Sequence, residues 1–374
     1  AGVINDLLSP AQEILNFHKA KLIGYVNHEV IGAICDNSAS LRILNLRNLR
    51  NPSAFPFESI AKSCKQLVHL DIRSVYGDSK ALFKIARILG HRLVSLHVSN
   101  QRAEDSNDMK KAAKCFKKLR FLTLEASCPV FEDVQPWLDN PLLEELDLTG
   151  CSLLPKDALY NKKKPQYFPY YRSKNMRVNN IPASQSLRKL RFRKGGGYDG
   201  WRMIMMFFNF GRCDRNKWNN LTSLDLSGNN YDPKVLSNIK GIFDFMPNLE
   251  RLNLAKTNSS ELLLEAIKSP CRKLAHIDVS ETAIDVDRAM QYTHIPLKTL
   301  NLTAFTGTFD IMRLCSRKII SCLEDININT TTFKTTSDID IMTKRTFYPA
   351  TKVKNLNLTA YKPPINIDSP LLRV

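Results

Sequence analysis

Leu143-Glu144-Glu145-Leu146-Asp147-Leu148-Thr149-Gly150-Cys151 and Leu221-Thr222-Ser223-Leu224-Asp225-Leu226-Ser227-Gly228-Asn229 carry one pattern twice. Leucine stands at the first, fourth and sixth positions of each, and Asn or Cys closes the unit. The Leu-x-Leu part alternates with period two, as a short strand does. Working outward in both directions, the anchors recur. They begin at Leu41-Leu44-Leu46, Leu67-Leu70-Ile72, Leu93-Leu96-Val98 and Leu119-Leu122-Leu124. Beyond the first quoted copy stands Leu187-Leu190-Phe192. Beyond the second come Leu249-Leu252-Leu254, Leu274-Ile277-Val279, Leu297-Leu300-Leu302, Leu323-Ile326-Ile328 and Val353-Leu356-Leu358. That makes twelve copies, with first-anchor spacings of 26, 26, 26, 24, 44, 34, 28, 25, 23, 26 and 30. Such a sustained period marks a repeat array.

The segments between the strands read mostly as helix. Residues 79–89 place Leu82, Ile85, Ala86 and Ile88 on one face, and residues 232–245 do the same with Val235, Ile239, Ile242 and Phe243. Ser106 to Cys115 and Ser260 to Ile267 are two more. Parallel strands stack about 4.8 Å apart, and helices need about 10 Å. An array with one helix per repeat must therefore curve, with strands inside. Single repeats cannot bury their own leucines, so the array is cooperative.

These residues resemble the leucine-rich-repeat superfamily, in its ribonuclease-inhibitor-like style. The resemblance covers residues 41–358 and implies an α/β fold. That fold is a right-handed solenoid, or horseshoe, of about twelve repeats, with a parallel β-sheet on the concave face and helices on the convex face. In the family the closing Asn or Cys bonds the backbone as the chain leaves the strand. Cys151 and Asn229 fit; Gln101, Ser127, Thr257 and Thr331 stand at that position elsewhere, so less regular loops are expected there.

Three segments lie outside the regular array. Residues 1–40, with Leu7, Leu8, Ile14, Leu15, Leu22, Ile23, Val26, Val30 and Ile31, suggest short helices that cap the first repeat. The solenoid runs over 41–362, with an insertion at 153–186. The tail 363–374 contains Ser369-Pro370-Leu371-Leu372, similar to Asn140-Pro141-Leu142-Leu143 at the start of repeat five. It reads either as the start of a further unit, with another domain to follow, or as a plain terminal segment.

Composition narrows the classes. The 374 residues are 43% hydrophobic and 24% charged, which supports a large core and excludes global disorder. Mean hydropathy is -0.25, and no apolar run approaches the roughly 20 residues a membrane helix needs. The nine cysteines are odd in number and scattered, which favours a reduced intracellular protein, in the cytoplasm or nucleus. Sequons stand at Asn220, Asn258, Asn301, Asn329 and Asn357, two of them inside expected strands, so chance matching is the better reading.

The formal charge of +18 needs a location. On the strands, the concave side is read from positions two, four and six after each first anchor. Of those 36 positions six are basic and seven acidic, so that face is near neutral. From Leu153 to Lys217 there are 16 Lys and Arg against three Asp, a local +13. The insertion interleaves Lys162, Lys163, Lys164, Arg172, Lys174 and Arg177 with Tyr167, Tyr170 and Tyr171. Two readings compete. One is a patch for nucleic acid or an acidic partner, with cations for phosphate and aromatics for stacking. The other is a solvated insertion that packs on its own scaffold.

No catalytic constellation emerges. The chain lacks G-x-x-x-x-G-K-[ST], G-x-G-x-x-G and H-E-x-x-H motifs, and no cofactor or metal is expected. His69, His97 and His276 fall on the concave side without metal-type spacing. Glu145 and Asp147, near Glu125, form an acidic patch suited to a basic partner. Gly195 to Gly197 read as a turn. Cys64, Cys115 and Cys271 precede their repeats' first leucines and read as packing residues.

The resemblance implies a non-enzymatic protein-interaction scaffold that binds its partner on the concave face. Candidate contacts are Arg47, Asp71, Arg73, His97, Phe121, Glu145, Asp147, Arg191 and Arg193. Phe121 stands out as an aromatic on a strand face. Within the superfamily, the chain loosely resembles Zyg-eleven or F-box substrate receptors of cullin-RING ubiquitin ligases. Those bind an adaptor through an N-terminal helical box, here residues 1–40. Ile31 and Cys35 have the spacing of the elongin-binding L-x-x-x-C pattern, with Ile in place of Leu, and no F-box pattern is present. The rival reading is a nucleic-acid or acidic-partner binder acting through the insertion and repeat six.

Overall fold

A computed structural model describes residues 11–17, 28–36, 38–47, 57–73, 79–99, 106–126, 131–151, 186–193, 218–229, 242–258, 260–267, 270–282, 296–303, 322–327 and 354–357. They fall in two compact units, with the boundary between Phe192 and Arg193. Each unit repeats a strand-bearing module of the α/β leucine-rich-repeat fold.

The first unit alternates strand and helix: β1 (Ile14–Asn16), α1 (His28–Asp36), β2 (Ile43–Asn45), α2 (Phe57–Ser63), β3 (His69–Asp71), α3 (Ser79–Leu89), β4 (Ser95–Ser99), α4 (Ser106–Cys115), β5 (Phe121–Glu125), α5 (Phe131–Leu138), β6 (Glu145–Asp147) and β7 (Lys189–Arg191). Each strand pairs in parallel with the next, and Leu44, Leu70, Leu96, Leu122, Leu146 and Leu190 stand in one register row. These leucines are at most 2% exposed. The inward-facing residues of the helices are buried as well, such as Leu82, Ile85 and Leu89 of α3. The helix periodicity expected over 79–89 and 106–115 is realised as α3 and α4.

The second unit holds β8 (Ser223–Asp225), β9 (Arg251–Asn253), α6 (Ser260–Ile267), β10 (His276–Asp278), β11 (Thr299–Asn301), β12 (Asp325–Asn327) and β13 (Asn355–Asn357). They too pair in parallel and in chain order. Of the helix expected over 232–245, residues 232–241 lie outside the described residues, and a 3-10 turn at Phe243–Phe245 stands at its end, before β9. Ile242, Phe243 and Met246 are buried there all the same, since a 3-10 turn fills the same core with fewer residues.

The N-terminal segment differs from the helical cap expected over 1–40. Residues 14–16 form strand β1, in register with Ile43–Asn45 of β2, and only residues 28–36 are helical among those described. The physical reason is the edge. A leading β2 would expose a row of unpaired backbone groups, and β1 covers it. The amides of Arg42 and Ile43 both donate to the Glu13 carbonyl, 2.8 and 3.0 Å away.

Leaving each strand, the chain makes one turn again and again. Asn45, Asp71, Asp147, Asp225, Asn253, Asp278 and Asn301 each accept at Oδ1 the amide two residues on, at 2.9 to 3.1 Å. This Asx turn ends the strand after three residues. Further on, the backbone enters the left-handed region at Gly150, Gly228, Ala126, Lys256 and Glu281. The closing residue then returns a bond to the strand. Asn229 Nδ2 donates to the Leu226 carbonyl of its own repeat at 2.7 Å, whereas Cys151 Sγ donates to the Leu124 carbonyl of the preceding repeat. Thr257, expected to leave its loop irregular, donates its hydroxyl to the Leu254 carbonyl at 2.7 Å; a threonine hydroxyl reaches the same acceptor as the Asn amide.

Candidate functional site

The open face of the first unit's sheet is built from two register rows flanking the buried leucines. One row runs Ile43, His69, Ser95, Phe121, Glu145, Lys189; the other runs Asn45, Asp71, His97, Thr123, Asp147, Arg191. Arg47 and Arg73 stand in the turns after β2 and β3, two residues beyond the second row. Eight of the nine expected contact residues thus share one surface. The ninth, Arg193, belongs to the second unit, where its Nε donates to Asp225 Oδ2 at 2.5 Å.

The charges on this surface are already matched. Arg73 grips Asp71 with both ends of its fork, Nε to Oδ1 at 3.0 Å and Nη2 to Oδ2 at 2.6 Å. Its other nitrogen reaches Glu125 at 3.6 Å, and Arg47 approaches the same carboxylate at 4.0 Å. Burial opposes the Arg73 charge, but the hydrogen bond and charge of Asp71, with Glu125 and Asp147, outweigh it and push the guanidinium pKa up. On β6, Glu145 is met by Lys189 and, at 3.7 Å, by Arg191, which also stands 3.7 Å from Asp147. The acidic patch expected to await a basic partner therefore has its cations on the adjacent strand β7. The half-exposed Lys189 and Arg191 pairs are worth about 0–1 kcal/mol each, so they set the pattern of the surface more than its stability, whereas the Arg73–Asp71 fork is largely shielded from solvent.

At the centre sits His97. Its Nε2 lies 2.8 Å from Ser95 Oγ and its Nδ1 2.7 Å from Thr123 Oγ1. Burial is the main force holding its pKa below 6.5; Arg73 and His69 add to the lowering, while Asp71 and Asp147 oppose it. The Ser95–His97 distance satisfies the nucleophile–base criterion for acyl transfer. The oxyanion donors do not follow, because the amides of Ser95 and Phe121 are spent on the Val68 and Val94 carbonyls. Ser95 is also only 5% exposed. The constellation therefore orders the face.

Phe121, at the head of β5, is half-buried between Ser95 and Glu145 in its row. The Arg120 guanidinium lies 5.6 Å from its ring centroid, and Arg120 is itself held by Glu144 at 2.6 Å. The ring thus has one fixed neighbour and an uncharged flank of Ser95 and His69. Burial holds the His69 pKa down, with Arg42 adding to it.

Sequence reasoning did not foresee Ser95 and Thr123 as partners of His97, nor the Asx turns. The signal was present: the middle position of Leu-x-Leu is Asn or Asp in most copies and changes to His97, Thr123 and Arg191 only on β4, β5 and β7. The insertion residues Lys162, Lys163, Lys164, Tyr167, Tyr170, Tyr171, Arg172, Lys174 and Arg177 lie outside the described residues. Cys64 and Cys271 are buried, with thiol pKa values pushed up by burial to about 11 and about 12, as packing residues should be. Cys115 is only partly buried. Among the described residues no group of His, Cys, Asp or Glu could hold a metal ion, and no helix is long and apolar enough to cross a membrane.

No family model matches the chain, and no curated protein matches it. Among solved structures it is similar to an internalin from Listeria monocytogenes, at 14% identity, over 87% of this chain and 82% of that one, with a TM-score of 0.41.

Proposed function

We propose that the chain is a non-enzymatic protein-recognition scaffold whose partner docks on the open face of the first unit, over β3 to β6. The observation that carries this reading is Phe121. It is a solvent-accessible aromatic on a rigid strand, braced by Arg120, on a surface whose charges are already internally paired. A partner meeting such a face desolvates few unpaired charges, and aromatic and Arg side chains dominate binding energy where they are held in place. The paired rim of Arg73, Glu125, Glu145 and Arg191 supplies register.

The test is affinity capture from a nuclease-treated lysate with the parent chain and Phe121→Ala side by side. The reading expects a stoichiometric protein that Phe121→Ala loses while melting at the same temperature. Equal loss of solubility in Phe121→Ala and in Arg191→Glu would sink it. Arg191→Glu also sets a carboxylate against Glu145 and Asp147, so Arg191→Gln is the cleaner partner variant.

The finer reading makes this scaffold a substrate receptor of a cullin-RING ligase, intracellular, with the adaptor on residues 1–40. It is supported by Ile31 and Cys35 lying together on α1 at the adaptor spacing. Burial pushes the Cys35 thiol pKa up, with Ser63 pulling it down and Asp36 adding to the rise. Its test is capture of an elongin-type adaptor that Cys35→Ser loses. Deleting residues 1–40 is a poorer test, since it strips β1 from the edge of β2.

A further inference from the structure

We infer that the helical side of the first unit, over α2, α3 and α4, binds the phosphate backbone of nucleic acid without reading its sequence. This surface is separate from the open face, and none of its residues belongs to the insertion. Its cations are scattered in sequence and gathered by the fold. The three helices with the turns that follow them (residues 57–67, 79–93 and 106–119) hold eleven Lys and Arg against two acids, Glu58 and Asp108. That local +9 is half of the net +18 of the chain.

The fold brings these charges side by side. α3 packs between α2 and α4. Lys80, Lys84 and Arg87 are exposed along one face of α3, four and then three residues apart. Lys111 and Lys114 do the same on α4. The stripe continues around the helix C-termini into the turns, where Lys65, Lys117 and Lys118 are exposed and Arg92 is half-buried.

Helix electrostatics account for part of this. Lys62, Arg87 and Lys114 stand in last turns, where the helix dipole rewards a cation. It gives no reward at Lys80, in the first turn of α3, a turn without an acid. Lys62 and Lys84 share the single carboxylate of Glu58, at 2.8 and 3.9 Å. Lys111 likewise stands 3.7 Å from Asp108, and eleven cations against two carboxylates leave a net positive field that an anionic partner complements.

The chemistry points to phosphate. Nine of the eleven cations are Lys, point charges that suit a diffuse polyanion, and Lys is depleted at protein interfaces. The large apolar side chains exposed among the described residues are Ile14 and Leu142, neither on these helices, so no described side chain there offers a wedge for a bilayer. The ring of Phe83 lies under Lys111, 5.7 Å from its nitrogen, and is not offered for base stacking.

The test uses the full chain, a short fluorescein-labelled DNA duplex of mixed sequence, and anisotropy titrations at several salt concentrations. The parent is expected to bind with a steep salt dependence. Lys84→Gln, Arg87→Gln, Lys114→Gln and Lys117→Gln combined should weaken binding about tenfold or more and flatten the log–log slope by roughly 3 to 4, at about 0.9 per phosphate contact. The pairs Lys84→Gln with Arg87→Gln and Lys114→Gln with Lys117→Gln should each give about half of that change. Phe121→Ala should leave the slope nearly unchanged, which separates this surface from the protein-docking face; a loss of binding confined to Lys162→Gln, Lys163→Gln and Lys164→Gln combined would assign the binding to the insertion and overturn the inference. Failure of the parent to bind the duplex, or equal binding by the fourfold variant, overturns the inference. So does binding only to phosphatidylserine vesicles, which would assign the surface to a membrane.

Discussion

His97 on β4 holds its Nδ1 2.7 Å from the Oγ1 of Thr123 on β5, at the register position where seven other described copies hold an Asn or Asp that bonds its own backbone. The side chain here reaches across to the next strand rather than back along its own. β4 and β5 run for five residues, while the other strands run for three. The two extra residues pair as Val98 with Leu124 and Ser99 with Glu125. On β4 and β5, neighbours that both lack the Asx turn, the sheet is longer, and there Glu125 receives Arg47 and Arg73. β7, which has Arg191 at that position but pairs with Asp147 of β6, still runs for three residues.

The first prediction concerns pH. The His97 pKa is depressed in the fold, mainly by burial, against 6.5 for the free side chain. The unfolded chain therefore binds the proton more readily, and acid favours unfolding. The His97 contribution is full above 6.5 and lost as pH falls below it toward the lowered value. Urea unfolding followed from about pH 7 to about pH 5 should show declining stability, with a shallower decline in His97→Gln. The remaining slope belongs partly to His69 and His276, both also lowered chiefly by burial. Identical slopes in parent and variant would refute the assignment.

Two glycines should respond to alanine with opposite signs. A Cβ on Gly90 would lie 2.3 Å from the Ala86 carbonyl oxygen and 2.7 Å from that of Cys115, so α3 and α4 would have to separate. Gly90→Ala should cost about 1–3 kcal/mol or more. Gly32, inside α1, has nothing within 4 Å of its would-be Cβ. Gly32→Ala should stabilise by about 0.5–1 kcal/mol through helix propensity. Thermal melts of the two variants decide it, and shifts in the same direction would contradict the packing described.

The Asx turn predicts a chemical series at one site. Asp278 Oδ1 accepts the Ser280 amide at 2.9 Å. Asp278→Ala should lose about 0.5–1.5 kcal/mol in denaturant unfolding, the worth of a typical hydrogen bond. Asp278→Asn keeps the acceptor, as Asn253 and Asn301 do naturally, and should change little. Equal losses in both variants would show that charge, rather than the turn, matters there.

Gly150 tests the turn from its other end. Its φ is +68°, and a Cβ would find Ala126 no closer than 3.5 Å, so the strain of Gly150→Ala is conformational rather than steric. The expected cost is about 1–2 kcal/mol. Ala126, Lys256 and Glu281 accept that strain in their own repeats. A neutral Gly150→Ala would mean that the backbone there relaxes.

The repeat was legible because burial imposes it. Leucines at the first, fourth and sixth positions must face the core in every copy, and Leu44 through Leu190 keep one register row. Strand β1 was not legible, since Ile14-Leu15-Asn16 lacks a first-anchor leucine and owes its conformation to the β2 edge. The candidate face was legible residue by residue, because alternation sends the intervening side chains outward. Its pairing was not. That Lys189 and Arg191 answer Glu145 and Asp147 follows from strand order across a 44-residue gap, which no local pattern encodes. The basic helical side escaped notice for a related reason: its charges form no run in sequence and meet only when α2, α3 and α4 stack.

The central claim is that a protein partner docks over Phe121. The most direct measurement is hydroxyl-radical footprinting of the chain alone and with the captured partner, read by mass spectrometry. The account predicts that oxidation of Phe121 and His69 falls severalfold on binding, while that of Phe83 on the helical side is unchanged. Protection confined to the helices, with Phe121 oxidised equally in both samples, would contradict it.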